Sequence, residues 1–378
     1  MTARSTRRLL IVIAAAFALA LFISACGSSN EQAGNTEADT ATTNEQTDES
    51  THEHGATEDH THTTGESTHE HDDESTENEN TSQQSESQSQ VANDVSFVDG
   101  ALAGAVSEVD CTLSDGTSAT CNEVTIAGYP ADEEVGPFCP DTTSTSAEDA
   151  GIWLDGENLY DADGEFITSL SEIYGDSNWQ LYNDDGTVRI TDTQEAFEAA
   201  ARPDVSEEYQ NYCVEGQIEW LDGGEPVEST YLIPQSPDNT GTAQQISGSI
   251  GVTLNGVVID PSAPVDAILG AYTIAAFDDC GGHINPVEGY HMHAATGCSE
   301  VGDAPEGETP AFAIAMDGFA IHSPYEEGEE PSDLDDCGGH TTDELGYHYH
   351  ANPPEENAVL SCFVGYAEES QAQAGPPQ

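Results

Sequence analysis

Two stretches of the chain repeat a set of side chains that ligate metal. The first reads Asp278-Asp279-Cys280-Gly281-Gly282-His283 and, after five residues, Gly289-Tyr290-His291-Met292-His293. The second reads Asp335-Asp336-Cys337-Gly338-Gly339-His340 and, after the same interval, Gly346-Tyr347-His348-Tyr349-His350. Successive side chains of a β-strand point to opposite faces. His291 and His293 therefore share a face, with Tyr290 and Met292 on the other. His348 and His350 are separated from Tyr347 and Tyr349 in the same way. The turn histidines His283 and His340 bring each copy to three imidazoles. That set suits a divalent transition metal, zinc or copper, with a fourth position left for water or substrate. The paired glycines let each turn fold back against its strand. Asp278 and Asp335 are candidate acceptors that orient the imidazoles from behind. Two other arrangements fit the same residues. All six histidines can converge on one two-ion centre, or the tyrosines and histidines can form a hydrogen-bonded network that holds a small β domain without metal.

Glu288 and Glu344 lie between the histidines of their copies and are candidate general bases. Nucleophilic catalysis finds little support, because no Gly-x-Ser-x-Gly elbow occurs. The eight cysteines beyond Cys26 are Cys111, Cys121, Cys139, Cys213, Cys280, Cys298, Cys337 and Cys362. An even number in an exported chain points to disulfides, whose pairing the count alone leaves open. Short loops close at the least entropic cost. Local closure then gives Cys111 with Cys121, Cys280 with Cys298 and Cys337 with Cys362, leaving Cys139 for Cys213. A further six histidines, His52, His54, His60, His62, His69 and His71, form three His-x-His pairs among acids near the N-terminus. Such a tract is a weak metal scavenger.

In these residues the chain resembles the YHYH protein family, whose name is spelled out by Tyr347-His348-Tyr349-His350. The resemblance covers residues 236–366 and extends to Trp153, Tyr160-Asp161 and Tyr212-Cys213-Val214-Glu215. It implies no particular reaction. The first copy departs from the pattern at Met292 and keeps its histidine spacing. His322 stands where the family tends to carry an aromatic residue, so it is not among the expected functional residues.

The elements that must position the histidines are short strands. A hairpin precedes each copy: Leu254-Asn255-Gly256-Val257-Val258-Ile259 matches Met316-Asp317-Gly318-Phe319-Ala320-Ile321, each around a turn dipeptide. Residues 236–366 thus form a domain of two repeats. Residues 93–235 form a first folded segment with β-like runs at 151–156, 161–167 and 179–188. It also carries one helix over 194–201 that stops before Pro203. The Asp161, Asp163 and Gly164 cluster lacks the final acid of a calcium loop and reads as a turn. Residues 367–378 read as a frayed tail. The expected fold class is mainly β with minor α, a short-stranded, disulfide-bonded domain built on an internal repeat.

The N-terminus carries export signals. Arg4, Arg7 and Arg8 precede the apolar run 9–23, which ends at Ser24-Ala25-Cys26-Gly27. That run is short for a membrane span and suits a signal peptide over 1–25, with Cys26 as the lipidated residue of a lipobox. An acyl anchor there holds the chain on the extracytoplasmic side of a membrane. Residues 26–92 are polar and acidic with almost no large apolar residue, so a disordered tether is expected. The formal net charge is −68, and Arg189 and Arg202 are the only basic side chains after Arg8. Nucleic acid is therefore excluded as a partner; metal ions and the membrane remain. Three functions fit: a binding module that sequesters transition metal, a metal-dependent hydrolase or oxidase with an open three-histidine site, or a metal-free structural or adhesive surface domain.

Overall fold

The computed structural model of the chain describes residues 96–373, position 203 excepted. The signal segment, Cys26 and the six N-terminal histidines lie outside the described residues. In chain order come β1 (Ser107–Thr112), β2 (Ser118–Ile126), β3 (Ile152–Leu154) and β4 (Leu159–Asp161), then α1 (Gly164–Ile173) and α2 (Gln194–Ala200). There follow β5 (Cys213–Val214), β6 (Ser229–Pro234), β7 (Gly251–Thr253), β8 (Val258–Ile259), α3 (Val265–Gly270) and β9 (Ile274–Ala275). The last elements are β10 (Gly282–Asn285), β11 (Gly289–Met292), β12 (Ala311–Ala315), β13 (Ala320–His322), β14 (Gly339–Thr342), β15 (Gly346–His350) and α4 (Glu369–Gln373). The described chain is mostly β, as its sequence leads one to expect.

The repeat builds one mixed sheet of eight strands in the order β10-β11-β8-β7-β12-β13-β15-β14. The two halves of that order mirror each other and meet where β7 lies antiparallel to β12. In each half the hairpin closes at a glycine of positive φ, 97° at Gly256 and 98° at Gly318, a conformation glycine takes at little steric cost. The hairpin's second strand then pairs in parallel with the Tyr-His strand, β8 with β11 and β13 with β15. The strand carrying the turn histidine closes each outer edge, β10 on β11 and β14 on β15. β11 and β15 are therefore five strand spacings apart, roughly 24 Å at about 4.8 Å per spacing. That separation rules out a single centre shared by all six histidines.

The remaining elements brace the sheet. β1, β2 and β6 form a three-stranded sheet, and β5 pairs in parallel with β9. Residues on both sides of position 235 share the apolar cores. One gathers Ile126, Ile233, Phe312, Phe319 and Tyr349; another gathers Trp153, Leu170, Ile274 and Phe277. The third places Phe197 and Val214 against Tyr290 and Met292. The faces of the Tyr-His strands are as the alternation requires, with aromatic or thioether side chains in these cores and histidines turned away from them.

Two local expectations are corrected. The run 161–167 is not a strand throughout: Asp163 caps α1 by accepting from the Phe166 amide at 2.9 Å, and Phe166, Ile167 and Leu170 recur at helical spacing on the buried side. The tail does not fray at 367, since Ala367 and Glu368 are buried and α4 follows them. The expected helix is present as α2, capped by Thr193.

Four disulfides join Cys111–Cys121, Cys139–Cys213, Cys280–Cys298 and Cys337–Cys362, the pairing that local closure favours. Their sequence separations run from 10 to 74 residues. Removing a cross-link frees more chain entropy in the unfolded state when its loop is longer. Replacing both Cys139 and Cys213 by alanine is therefore expected to cost about 4 kcal/mol, against about 2.5 kcal/mol for Cys111 and Cys121. Denaturant unfolding of the two double variants checks the order; equal losses would mean that loop length does not govern the effect.

Candidate functional site

Each histidine cluster is set by the same local device. In the first copy Asp278 Oδ1 accepts from the amides of Cys280 and Gly282, each at 3.1 Å, and its Oδ2 accepts from the Tyr290 hydroxyl at 2.8 Å. In the second copy Asp335 Oδ1 accepts from Cys337 and Gly339 at 2.9 and 3.1 Å, and Oδ2 from the Tyr347 hydroxyl at 2.8 Å. The paired glycines have separate reasons. Gly281 and Gly338 both hold φ at 78°. A β-carbon on Gly282 would lie 2.4 Å from the Tyr290 hydroxyl oxygen, and one on Gly339 would lie 2.1 Å from that of Tyr347. A disulfide from the turn, Cys280–Cys298 or Cys337–Cys362, fastens it from outside. Asp278 and Asp335 thus hold the turn and the tyrosine, not the imidazoles they were expected to orient.

The closed turn sets His283 directly opposite His291 and His340 directly opposite His348. His283 Nε2 lies 3.1 Å from His291 Nε2 and 3.3 Å from His293 Nε2. The Nδ1 atoms of His291 and His293 face the carbonyls of Gly289 and Pro261 at 3.0 and 2.6 Å. Those Nδ1 atoms therefore carry the protons, and the Nε2 atoms of both rings present lone pairs. Phe277, held by paired backbone hydrogen bonds to Ile152, stacks on His283 with ring centroids 4.6 Å apart.

The second cluster gains a carboxylate that its sequence does not announce. Glu308 Oε2 lies 3.3, 3.1 and 3.3 Å from the Nε2 atoms of His340, His348 and His350, and the His340–His348 Nε2 separation is 3.1 Å. Nitrogen and oxygen ligands about 2.05 Å from a tetrahedral zinc stand about 3.3 Å from one another. Four of the six edges of this set have that length. His340 Nδ1 faces Asp333 and His348 Nδ1 faces the Gly346 carbonyl, so both rings present Nε2 to Glu308. Tyr325 donates to Glu308 at 3.0 Å. Burial raises the Glu308 carboxyl, but the hydrogen bonds from His348 and Tyr325 outweigh it and hold Glu308 below its usual range. His322 packs on His348 with centroids 4.6 Å apart and uses Nδ1 on the Thr309 carbonyl.

All seven histidines of the described residues lie in one or other cluster. The fold uses histidine nowhere else. Glu308 is one acid among 73 Asp and Glu, and only the tertiary structure singles it out.

The copies differ at what faces the histidines. Where the second has His322, the first has Asp260 at the matching hairpin position; where the second has Leu345, the first has Glu288. Asp260 is 4% exposed, and its Oδ1 has no hydrogen-bond partner. Oxygens of Asp260 and Glu288 and a ring nitrogen of His291 lie within 4.8 Å of one another. Burial, then hydrogen bonding to Asp260 and its charge, push Glu288 up to about 7. Glu344, the other candidate base, is exposed and aligns with Val287, outside either cluster. The first cluster opens into a cavity of about 230 Å³ walled by Val214, Pro261, Ile268 and Ile284, with Arg202 at its margin.

Residues 230–332 match the family described as YHYH protein. The chain carries that family's domain. The matched residues hold the whole first cluster, Glu308 and His322, and they end before His340 and the Tyr347–His350 run. None of the curated proteins and none of the solved structures matches the chain.

Burial is the largest cause that lowers His283, His291 and His293, and His293 falls to about 3. The folded protein then takes up fewer protons than the unfolded chain as pH drops below the ordinary imidazole value of about 6.5, so metal-free stability is present above about 6.5 and declines toward about 3. The same neutrality keeps ligands available to metal in acid. In a chain whose six N-terminal histidines and His348 and His350 are replaced by alanine, zinc affinity by calorimetry is expected to change less than tenfold between pH 7 and pH 5. A tenfold loss per unit beginning near 6.5 would mean that these imidazoles titrate as if exposed.

Proposed function

We propose that this chain, which carries a YHYH domain and two histidine clusters, is an exported, lipid-anchored protein that binds one divalent transition metal ion at each cluster. The observation that carries the reading is the set Glu308, His340, His348 and His350, in which Glu308 Oε2 stands 3.1–3.3 Å from all three Nε2 atoms, near the edge length of a tetrahedral site. Zinc fits this mixture of imidazole and carboxylate, and copper fits the imidazoles. Four protein ligands leave the second site closed, which suits tight holding of an ion. The three-imidazole first site keeps a coordination position toward its cavity. On this reading Cys26 anchors the chain at the extracytoplasmic membrane surface, and the His-x-His pairs between His52 and His71 capture ions weakly near the folded domain. The acidic chain attracts cations toward both.

The test is metal content by mass spectrometry after zinc loading and desalting, on a chain with the six N-terminal histidines changed to alanine. Two ions per chain are expected. His348→Ala with His350→Ala is expected to leave one, because two lost imidazoles strip the second site of half its ligands. His291→Ala with His293→Ala is likewise expected to leave one. Stoichiometry unaffected by either double variant would refute the assignment and leave a metal-free histidine network.

A further inference from the structure

The two copies share a scaffold and differ in what surrounds the ion. In the second, Glu308 fills the fourth corner and Tyr325 and His322 cover it. In the first, the residue matched to Glu308 by the hairpin alignment is Ile246, which packs into an apolar core. The corner that Glu308 takes in the second copy is left to the cavity side in the first. Two carboxyl groups, Asp260 and Glu288, stand at the edge of that cavity beside His291. Asp260 is buried with one oxygen unpartnered, an expensive arrangement that a polar ligand or water offsets. The walls are apolar, supplied by Val214, Pro261, Ile268 and Ile284, with Ala200 and Ala201 at the end of α2.

From this arrangement we infer that the first cluster is a hydrolytic site for short-chain carboxylic esters, with Glu288 as general base and the apolar cavity as the acyl pocket. The inference rests on the proposed metal reading, since His283, His291 and His293 would hold the divalent ion, which would supply polarisation of the reacting water and carbonyl. The balance of the step is simple. Water gives a proton to the Glu288 carboxylate while its oxygen bonds to the ester carbonyl carbon. The bond from that carbon to the alkoxy oxygen then breaks. Glu288 returns the proton to the departing alkoxide, and the products are a carboxylic acid, ionised at neutral pH, and an alcohol. No oxidant or reductant is needed. A cavity of about 230 Å³ admits a short acyl chain. Phosphate esters fit poorly, because their anionic oxygens would face both Asp260 and Glu288.

The probe is p-nitrophenyl butyrate with the zinc-loaded chain, its six N-terminal histidines replaced by alanine, and zinc content measured on the same samples. Hydrolysis above that of free zinc is expected. Glu288→Gln is expected to lower kcat about 100-fold or more while zinc content stays unchanged, the range a general base supplies. Glu288→Asp, which keeps a carboxyl group, is expected to retain more of the rate. Glu344→Gln, at the exposed acid outside both clusters, is expected to leave the rate unchanged. Zinc bound at both sites without ester hydrolysis would overturn this inference and leave the metal reading standing, as would full activity in Glu288→Gln. Absence of zinc from the first cluster would overturn both.

Discussion

Imidazole lone pairs held about 3 Å apart repel unless a proton or a cation stands between them, and this constraint governs the molecule. A buried polar cluster is costly unless every group is satisfied. Both copies nevertheless hold Nε2 atoms at 3.1–3.3 Å, and the Nδ1 atoms of His291, His293 and His348 are committed to backbone carbonyls. The surrounding structure is what keeps them there. An aspartate closes the Cys-Gly-Gly-His turn, a tyrosine from the opposite strand locks that aspartate, and the disulfide fixes the turn's far side. The first folded segment then braces the first cluster through Ile152, Phe277 and His283. Rigid support of this kind is what pre-organised ligation requires.

The duplication has been used twice for different ends. The hairpin, parallel pairing and edge strand are common to both halves of the sheet. Departures from the repeat come in coupled sets. Tyr349 donates to the buried Asp317 at 2.7 Å, whereas the first copy has Met292 at the strand position and Asn255 in the turn. A buried hydroxyl needs an acceptor, and a thioether does not, so the two changes go together. Around the histidines, the pair His322 and Leu345 is replaced by Asp260 and Glu288, and Glu308 by Ile246. One cluster is thereby enclosed by protein groups, and the other faces a cavity.

Much of this was legible in the sequence because it depends on local periodicity. Strand alternation placed His291, His293, His348 and His350 on their shared faces, the turn dipeptides located the two hairpins, and loop length favoured the observed cysteine pairs. What escaped notice depends on contacts distant in sequence. Glu308 reaches His348 across 40 residues from an irregular loop, and nothing local distinguishes it from other acids. The family pattern favours an aromatic residue at position 322 and so gives no sign of His322, which β13 pairs with His350. Asp278 and Asp335 bond to their own turns in Asx fashion within four residues, which outcompetes the imidazoles as partners. α1 is hidden in the sequence because its N-cap, Asp163, lies inside a run that also alternates as a strand would.

The central claim is that the two clusters are separate metal centres. Anomalous diffraction from zinc-loaded crystals, collected above and below the zinc edge, tests it most directly. Two peaks per chain are expected, roughly 24 Å apart, one among the Nε2 atoms of His283, His291 and His293 and the other among those of His340, His348 and His350 with Glu308. A single peak shared by both triads, or peaks only at surface acids with both triads empty, would contradict it.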